Sequence, residues 1–241
     1  MKNLKLFLII LTGVTIMSGT NFVSAQKLKG DGDVTKETRS VSSFEILEND
    51  GVVNITLIQA DIESVIVEAD RNLLPVIITK VKDNTLFIST KEGAEIEKST
   101  KLNVYVSFRD LKKLELNSVG NLSSQNQLKL NNLEIENNSV GNIDLNLDCN
   151  KLNIESNSVG NTVLTGKVND FKIELNSVGN LKAFDFVAQT LNIESNAVGN
   201  AEVNSQKEIS ISQNGMGNIT YKGDAIVKKL DRSGLGNVRK E

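Results

Sequence analysis

The chain has 241 residues, 27 of them basic and 30 acidic, with a formal net charge of −3. No basic block stands out, so nothing marks a nucleic-acid footprint. Histidine and tryptophan are absent and tyrosine occurs twice, which removes the usual general base, the commonest metal ligand, the Ser–His nucleophilic pair and the broad aromatic platforms that stack on sugars or bases.

Lys2 and Lys5 precede an apolar run from Leu6 to Ile16, and Val23-Ser24-Ala25 is a small-residue cleavage site before Gln26. This is the pattern of a secretory signal peptide, too short for a spanning helix, so residues 1–25 stand apart from the fold. No cysteine lies near the cleavage point, so no lipoprotein anchor is indicated, and no later stretch reaches the length of a membrane span. Cys149 is the only cysteine, so stability must come from packing, with Cys149 itself a small buried hydrophobe.

Residues 26–43 read as a polar leading arm containing Gly30-Asp31-Gly32-Asp33. Residues 44–110 read as an N-terminal β segment. Its strand-like runs are Phe44–Leu47, Val53–Ile58, Ser64–Ala69, Val76–Val81, Thr85–Thr90 and Leu102–Phe108. Asn49-Asp50-Gly51 and Lys82-Asp83-Asn84 read as turns between neighbouring strands, Arg71–Pro75 as a turn or single helical turn, and Lys91–Lys101 as a charged loop.

From Leu111 a repeat takes over and runs to residue 238. Its marker is Asn117-Ser118-Val119-Gly120-Asn121, followed by copies ending at Asn142, Asn161, Asn180, Asn200, Asn218 and Asn237. The key glycines are Gly120, Gly141, Gly160, Gly179, Gly199, Gly217 and Gly236, at steps of 21, 19, 19, 20, 18 and 19 residues. An apolar–x–apolar piece such as Leu133-Glu134-Ile135 or Leu191-Asn192-Ile193 precedes the marker, and a second alternating piece follows it. A unit this short cannot bury its apolar face alone, but stacked units merge into one column. The expected fold is therefore all-β: a right-handed parallel β-helix of about 19 residues per turn, capped by the N-terminal β segment. At a rise of about 4.8 Å per turn, seven copies span roughly 30–35 Å. Like residues then form ladders, the glycines in one and Asn121, Asn142, Asn161, Asn180, Asn200, Asn218 and Asn237 in another, where stacked amides can hydrogen-bond.

A leucine-rich repeat fails because Val119 stands where that repeat needs Asn or Cys. A calcium-binding nonapeptide solenoid fails because neutral Asn follows the glycine where a hard cation needs carboxylates.

The copies from Leu133 to Asn200, together with Val41-Ser42-Ser43-Phe44-Glu45, Ala69–Pro75 and Val81–Leu86, resemble the head GIN domain family of bacterial autotransporter-adhesin heads. The resemblance covers roughly residues 34–238, and its N-terminal part is the more specific. It implies an exported β-helix of a Bacteroidetes-like cell envelope. It does not carry an established activity. The repeats running to the last few residues depart from the usual autotransporter plan.

Two further ladders bear on function. Glu115, Glu136, Glu155, Glu174 and Glu194 each lie two positions before the first Asn of a marker and should face water. Strict alternation puts Val119, Val140, Val159, Val178 and Val198 on that same outer face. A corner at Asn117-Ser118, where Asn tolerates left-handed backbone, would instead bury them. An exposed apolar ladder of this length is an association surface. The expected function is an exported, non-catalytic envelope or surface protein. It would be an adhesin-like scaffold binding a glycan or protein in the periplasm, on the outer-membrane surface or outside the cell. The alternative is a polysaccharide-degrading, pectinase-like β-helix enzyme using acids of the glutamate ladder. Neither reading assigns a catalytic, metal or cofactor-binding residue.

Overall fold

The computed structural model describes residues 26–241 as an all-β chain of stacked parallel strands, a β-solenoid of about 7 turns and about 19 residues per turn. The signal-peptide reading lies outside the described residues.

The middle turns carry long bent strands: Leu128–Asn137, Ile143–Ser156, Thr162–Leu175, Leu181–Ser195 and Ala201–Gln213. Each pairs in parallel with the next, like over like, as in Ile135↔Ile154↔Ile173↔Ile193↔Ile211. Apolar residues at every second position point inward and form one continuous core. Two corners bend each middle turn. One is the Asn-Ser-Val-Gly-Asn marker. The other is a polar dipeptide such as Asn150-Lys151 or Asn169-Asp170, where two consecutive side chains face out and reset the alternation. Gly166 breaks one inner column, and Phe186 in the next turn packs edge-on against Phe171, with ring centroids 5.3 Å apart.

The first turn lies outside the seven glycine-marked copies. Ile46–Asn49 pairs in parallel with Lys113–Leu116, and Asn54–Gln59 with Leu122–Ser124. Asn49-Asp50-Gly51 is therefore not a hairpin turn, because the strands on either side of it do not pair with each other. Asp50-Gly51-Val52-Val53-Asn54 is a divergent copy of the marker corner, stacked under Asn117–Asn121. The glycine is dispensable here. At later corners it lies against the carbonyl of the corner before it, and Val53 opens the series.

Residues 60–108 close the N-terminal end of the core. Ser64–Asp70 pairs antiparallel with Val34–Arg39 on one side and Leu102–Phe108 on the other. Ile77–Lys82 and Thr85–Thr90 form a hairpin through Asp83 and Asn84, both at positive φ, as a tight two-residue turn demands. Leu74–Val76 is a short 3₁₀ helix. The arm and the charged loop hold more structure than their polarity predicts. Gln26–Lys29 pairs in parallel with Ala94–Lys98 inside that loop. Buried Asp70 ties the two together by accepting the backbone N–H of Gly32 (2.8 Å) and of Thr100 (2.7 Å). Those bonds, led by Thr100, hold its carboxyl below its ordinary pKa.

Candidate functional site: the valine ridge and its flanking ladders

The marker corner builds a ridge. Alternation runs through it unbroken, so Ser139, Ser158 and Ser177 point inward and are buried, while the valine between serine and glycine points out. Val119, Val140, Val159, Val178 and Val198 are joined by parallel bridges and are 57%, 53%, 52%, 54% and 45% exposed. Val52 precedes them, and Met216 and Leu235 follow, all exposed. The ridge backbone is paired turn to turn, with Val140 N–H on the Ser118 carbonyl at 2.9 Å and Gly141 N–H on the Val159 carbonyl at 3.0 Å. What the ridge offers outward is therefore methyl groups, not open backbone.

The glycines make this stacking possible. A Cβ on Gly141, Gly160, Gly179, Gly199, Gly217 or Gly236 would fall on the carbonyl oxygen of the preceding corner's glycine, and one on Gly120 on that of Val53. No side chain fits there.

An asparagine ladder flanks each side. On one side Asn138, Asn157, Asn176, Asn196 and Asn214 each donate a side-chain N–H to the amide oxygen one turn back, at 2.8–3.1 Å. Asn117 ends that series on Asp50 at 3.1 Å. On the other side Asn121, Asn142, Asn161, Asn180, Asn200, Asn218 and Asn237 each donate their backbone N–H to the preceding Asn Oδ1 at 2.9–3.0 Å. Side-chain amides of this second row repeat the same donation at most rungs. The amide oxygens of Asn54, Asn121, Asn142, Asn161 and Asn200 thus accept two hydrogen bonds each. Each of these exposed amides keeps at least one N–H that the column does not use, in a row about 4.8 Å apart.

Beyond the first asparagine row run the glutamates, in register as Glu48↔Glu115↔Glu136↔Glu155↔Glu174↔Glu194. They are not equivalent. Lys113 reaches both Glu115 (2.6 Å) and Glu136 (2.8 Å), and its hydrogen bond holds the Glu136 carboxyl below its usual value. Glu48 is pushed up by burial first, then by Asp50 and Glu115. Glu155 and Glu174 accept the amide N–H of Asn157 and Asn176 in their own turns, at 3.2 and 3.1 Å.

Sequence reasoning missed Glu48, Asp50, Val52 and Asn54 as the first rung of these ladders. Their signal is present in the spacing Glu–x–Asp–x–Val–x–Asn, which repeats that of Glu115 to Asn121. Cys149 is buried away from the ridge, and burial pushes its thiol up to about 12. Among the described residues, no group of three or more His, Cys, Asp or Glu side chains is placed to hold a metal ion, and no helix is long and apolar enough to cross a membrane.

The arrangement is a regular surface: an apolar ridge, an asparagine row on each side of it and an acidic row at one margin. Comparisons with known proteins agree with this architecture. A crystal structure described as a putative adhesin from Bacteroides fragilis superposes with a TM-score of 0.82 at 28% identity, covering 89% of this chain and 100% of the other. Putative adhesins from Parabacteroides distasonis (25% identity) and Parabacteroides merdae (21%) each give a TM-score of 0.63 over 90% of this chain and 100% of theirs. No curated protein matches the sequence. The family described as "Putative auto-transporter adhesin, head GIN domain" matches residues 43–225, most of the folded chain, and the protein belongs to that family.

Proposed function

We propose that the chain is a non-catalytic, adhesin-like binding scaffold of the cell envelope that holds a glycan or protein along the valine ridge. The observation that carries this reading is the run of outward valines on a backbone whose own hydrogen bonds are already made. Such a surface can gain only by covering its methyl groups and meeting its spare amide donors. Hydroxyl- or carbonyl-rich ligands supply the matching acceptors. Family membership supports an adhesive role, and the signal-like residues 1–25 support export to the periplasm, the outer-membrane surface or beyond.

The test is a glycan and protein array probed with the wild type and with Val159→Glu/Val178→Glu, folding being checked by circular dichroism. Specific binding by the wild type, weakened at least tenfold in the folded variant, is expected. No specific binding, or equal binding by both proteins, overturns the reading.

A further inference from the structure

The two ends of the solenoid are finished differently. At the N-terminal end the core is closed by the strands of residues 60–108. At the other end the strand Ile226–Arg232 lies on Ala201–Gln213, and every residue of it is exposed. The register shows what this exposes. Val227 lies over Ile209 and Leu230 over Ile211, in inward columns whose members one turn earlier are buried. Val227 and Leu230 are 38% and 43% exposed, so the apolar column opens to solvent here. At the rim of the same end, Ile226 is 65% exposed.

Cations share this end. Arg232 occupies the inward row above Gln213, and Lys240 sits above Tyr221. Lys228 and Lys229 are paired with Glu208 (3.1 Å) and Asp231 (2.7 Å). Among the described residues Arg232, Arg239 and Lys240 make no ion pair, although the chain as a whole is acidic.

A second copy stacked end to end is a poor occupant. Lys228 bulges out of the strand register, Arg232 puts a charged residue at an inward register position, and a basic end would meet a basic end. Bulges and inward charges are devices that defeat strand addition. None of them opposes contact with a fluid anionic surface. An apolar centre with unpaired cations around it is the combination that seats a protein at a lipid interface, with methyl groups at the acyl boundary and long basic side chains reaching phosphates.

We propose that the C-terminal end of the solenoid is a peripheral docking site for a bilayer rich in anionic phospholipid. Bound this way, the column stands on the membrane and the valine ridge runs away from it. The ridge and the docking end act independently.

Co-sedimentation of the full chain with vesicles of phosphatidylcholine containing 30 mol% phosphatidylglycerol tests the proposal, against vesicles of phosphatidylcholine alone. Arg232→Glu/Lys240→Glu and Ile226→Asp/Leu230→Asp are run beside the wild type. All carry the same residues 1–25, so differences between them report this end, and the altered side chains are exposed, so folding survives. Partitioning of the wild type onto anionic vesicles is expected to exceed that of either variant, and its own partitioning onto neutral vesicles, by at least about tenfold. Raised salt should weaken it. Vesicle binding should also slow amide exchange across residues 226–240. Equal partitioning of wild type and variants overturns the proposal, as does binding to neither vesicle. So does light scattering that shows a dimer broken by Ile226→Asp/Leu230→Asp without vesicle binding, which would assign this end to a second copy. Array binding through the ridge should be unchanged in these variants, so a failure here is separable from a failure of the ridge reading.

Discussion

At the scale of single residues, the corner glycines hold the fold to one solution. Gly160 has φ 149°, and a methyl group there would overlap the Gly141 carbonyl, which is fixed backbone and cannot move aside. Gly32 is a useful contrast, with φ 84° and nothing within 4 Å of an added Cβ. Gly160→Ala should therefore cost more than Gly32→Ala. The first carries backbone strain plus an overlap of about 1–3 kcal/mol. The second carries only left-handed strain of about 1–2 kcal/mol. Urea unfolding of both variants measures the difference, and equal midpoints would remove the stacking argument. The glycine period is plain in the sequence, but its cause is not. Only the structure shows a carbonyl behind each glycine, and so explains why Val53 is allowed where no earlier corner stands.

At the scale of elements, the ladders have a direction. The amides donate toward the N-terminal end, and each series stops on a carboxylate. One stops at Asp50. The other passes through Asn54 and Asn103 to Glu68. Burial pushes the Glu68 carboxyl up, but hydrogen bonds from Tyr105, Asn103 and Lys101 together hold it below its ordinary value. An acceptor at the end of a row of aligned donors is the arrangement in which hydrogen bonds reinforce one another.

The glutamate row carries a pH dependence with two signs. The lowered Glu136 contributes stability that is complete above the unfolded carboxylate value and is lost as pH falls through the depressed folded one. The raised Glu48 does the opposite. Its ionisation at neutral pH opposes the fold, and that penalty is relieved as pH falls through its raised value. Lys113→Met should lower stability at pH 7 by about 1 kcal/mol or less, these groups being partly solvated, and that cost should shrink as the pH is lowered toward 2. Glu48→Gln should raise stability at pH 7 and be neutral in acid. Denaturant titrations at the two pH values check both signs. The glutamate row was legible as a period in the sequence. Its inequality was not, because it depends on which two acids a single lysine reaches.

At the scale of the whole molecule, the solenoid is close to one-dimensional, each turn held by its two neighbours. The repeats after Leu111 were readable because neighbours in space are about 19 residues apart in the chain. The first turn was hidden because residues 60–108 intervene, placing Asp50 and Asn117 67 positions apart, and because the marker there has lost its glycine. The strand Ala94–Lys98 was hidden by its charge, which suits a strand whose partner lies on the surface rather than over the core. The same one-dimensional logic fixes where the molecule opens. Ile143–Ser156, Thr162–Leu175 and Leu181–Ser195 have a paired turn on both sides, and the first turn is covered by its cap. The strand Ile226–Arg232 has a turn on one side only, and its inward Leu230 gains little by closing. Opening should therefore start at that end and travel inward turn by turn, since removing one turn exposes the next. Amide hydrogen exchange followed by mass spectrometry should be fastest in residues 226–240, intermediate in 201–222 and slowest in 143–195, with the capped strands Ser64–Asp70 and Leu102–Phe108 near the slow limit. Uniform protection along the column would mean that the turns open together, and the fold would then be a single cooperative unit rather than a stack.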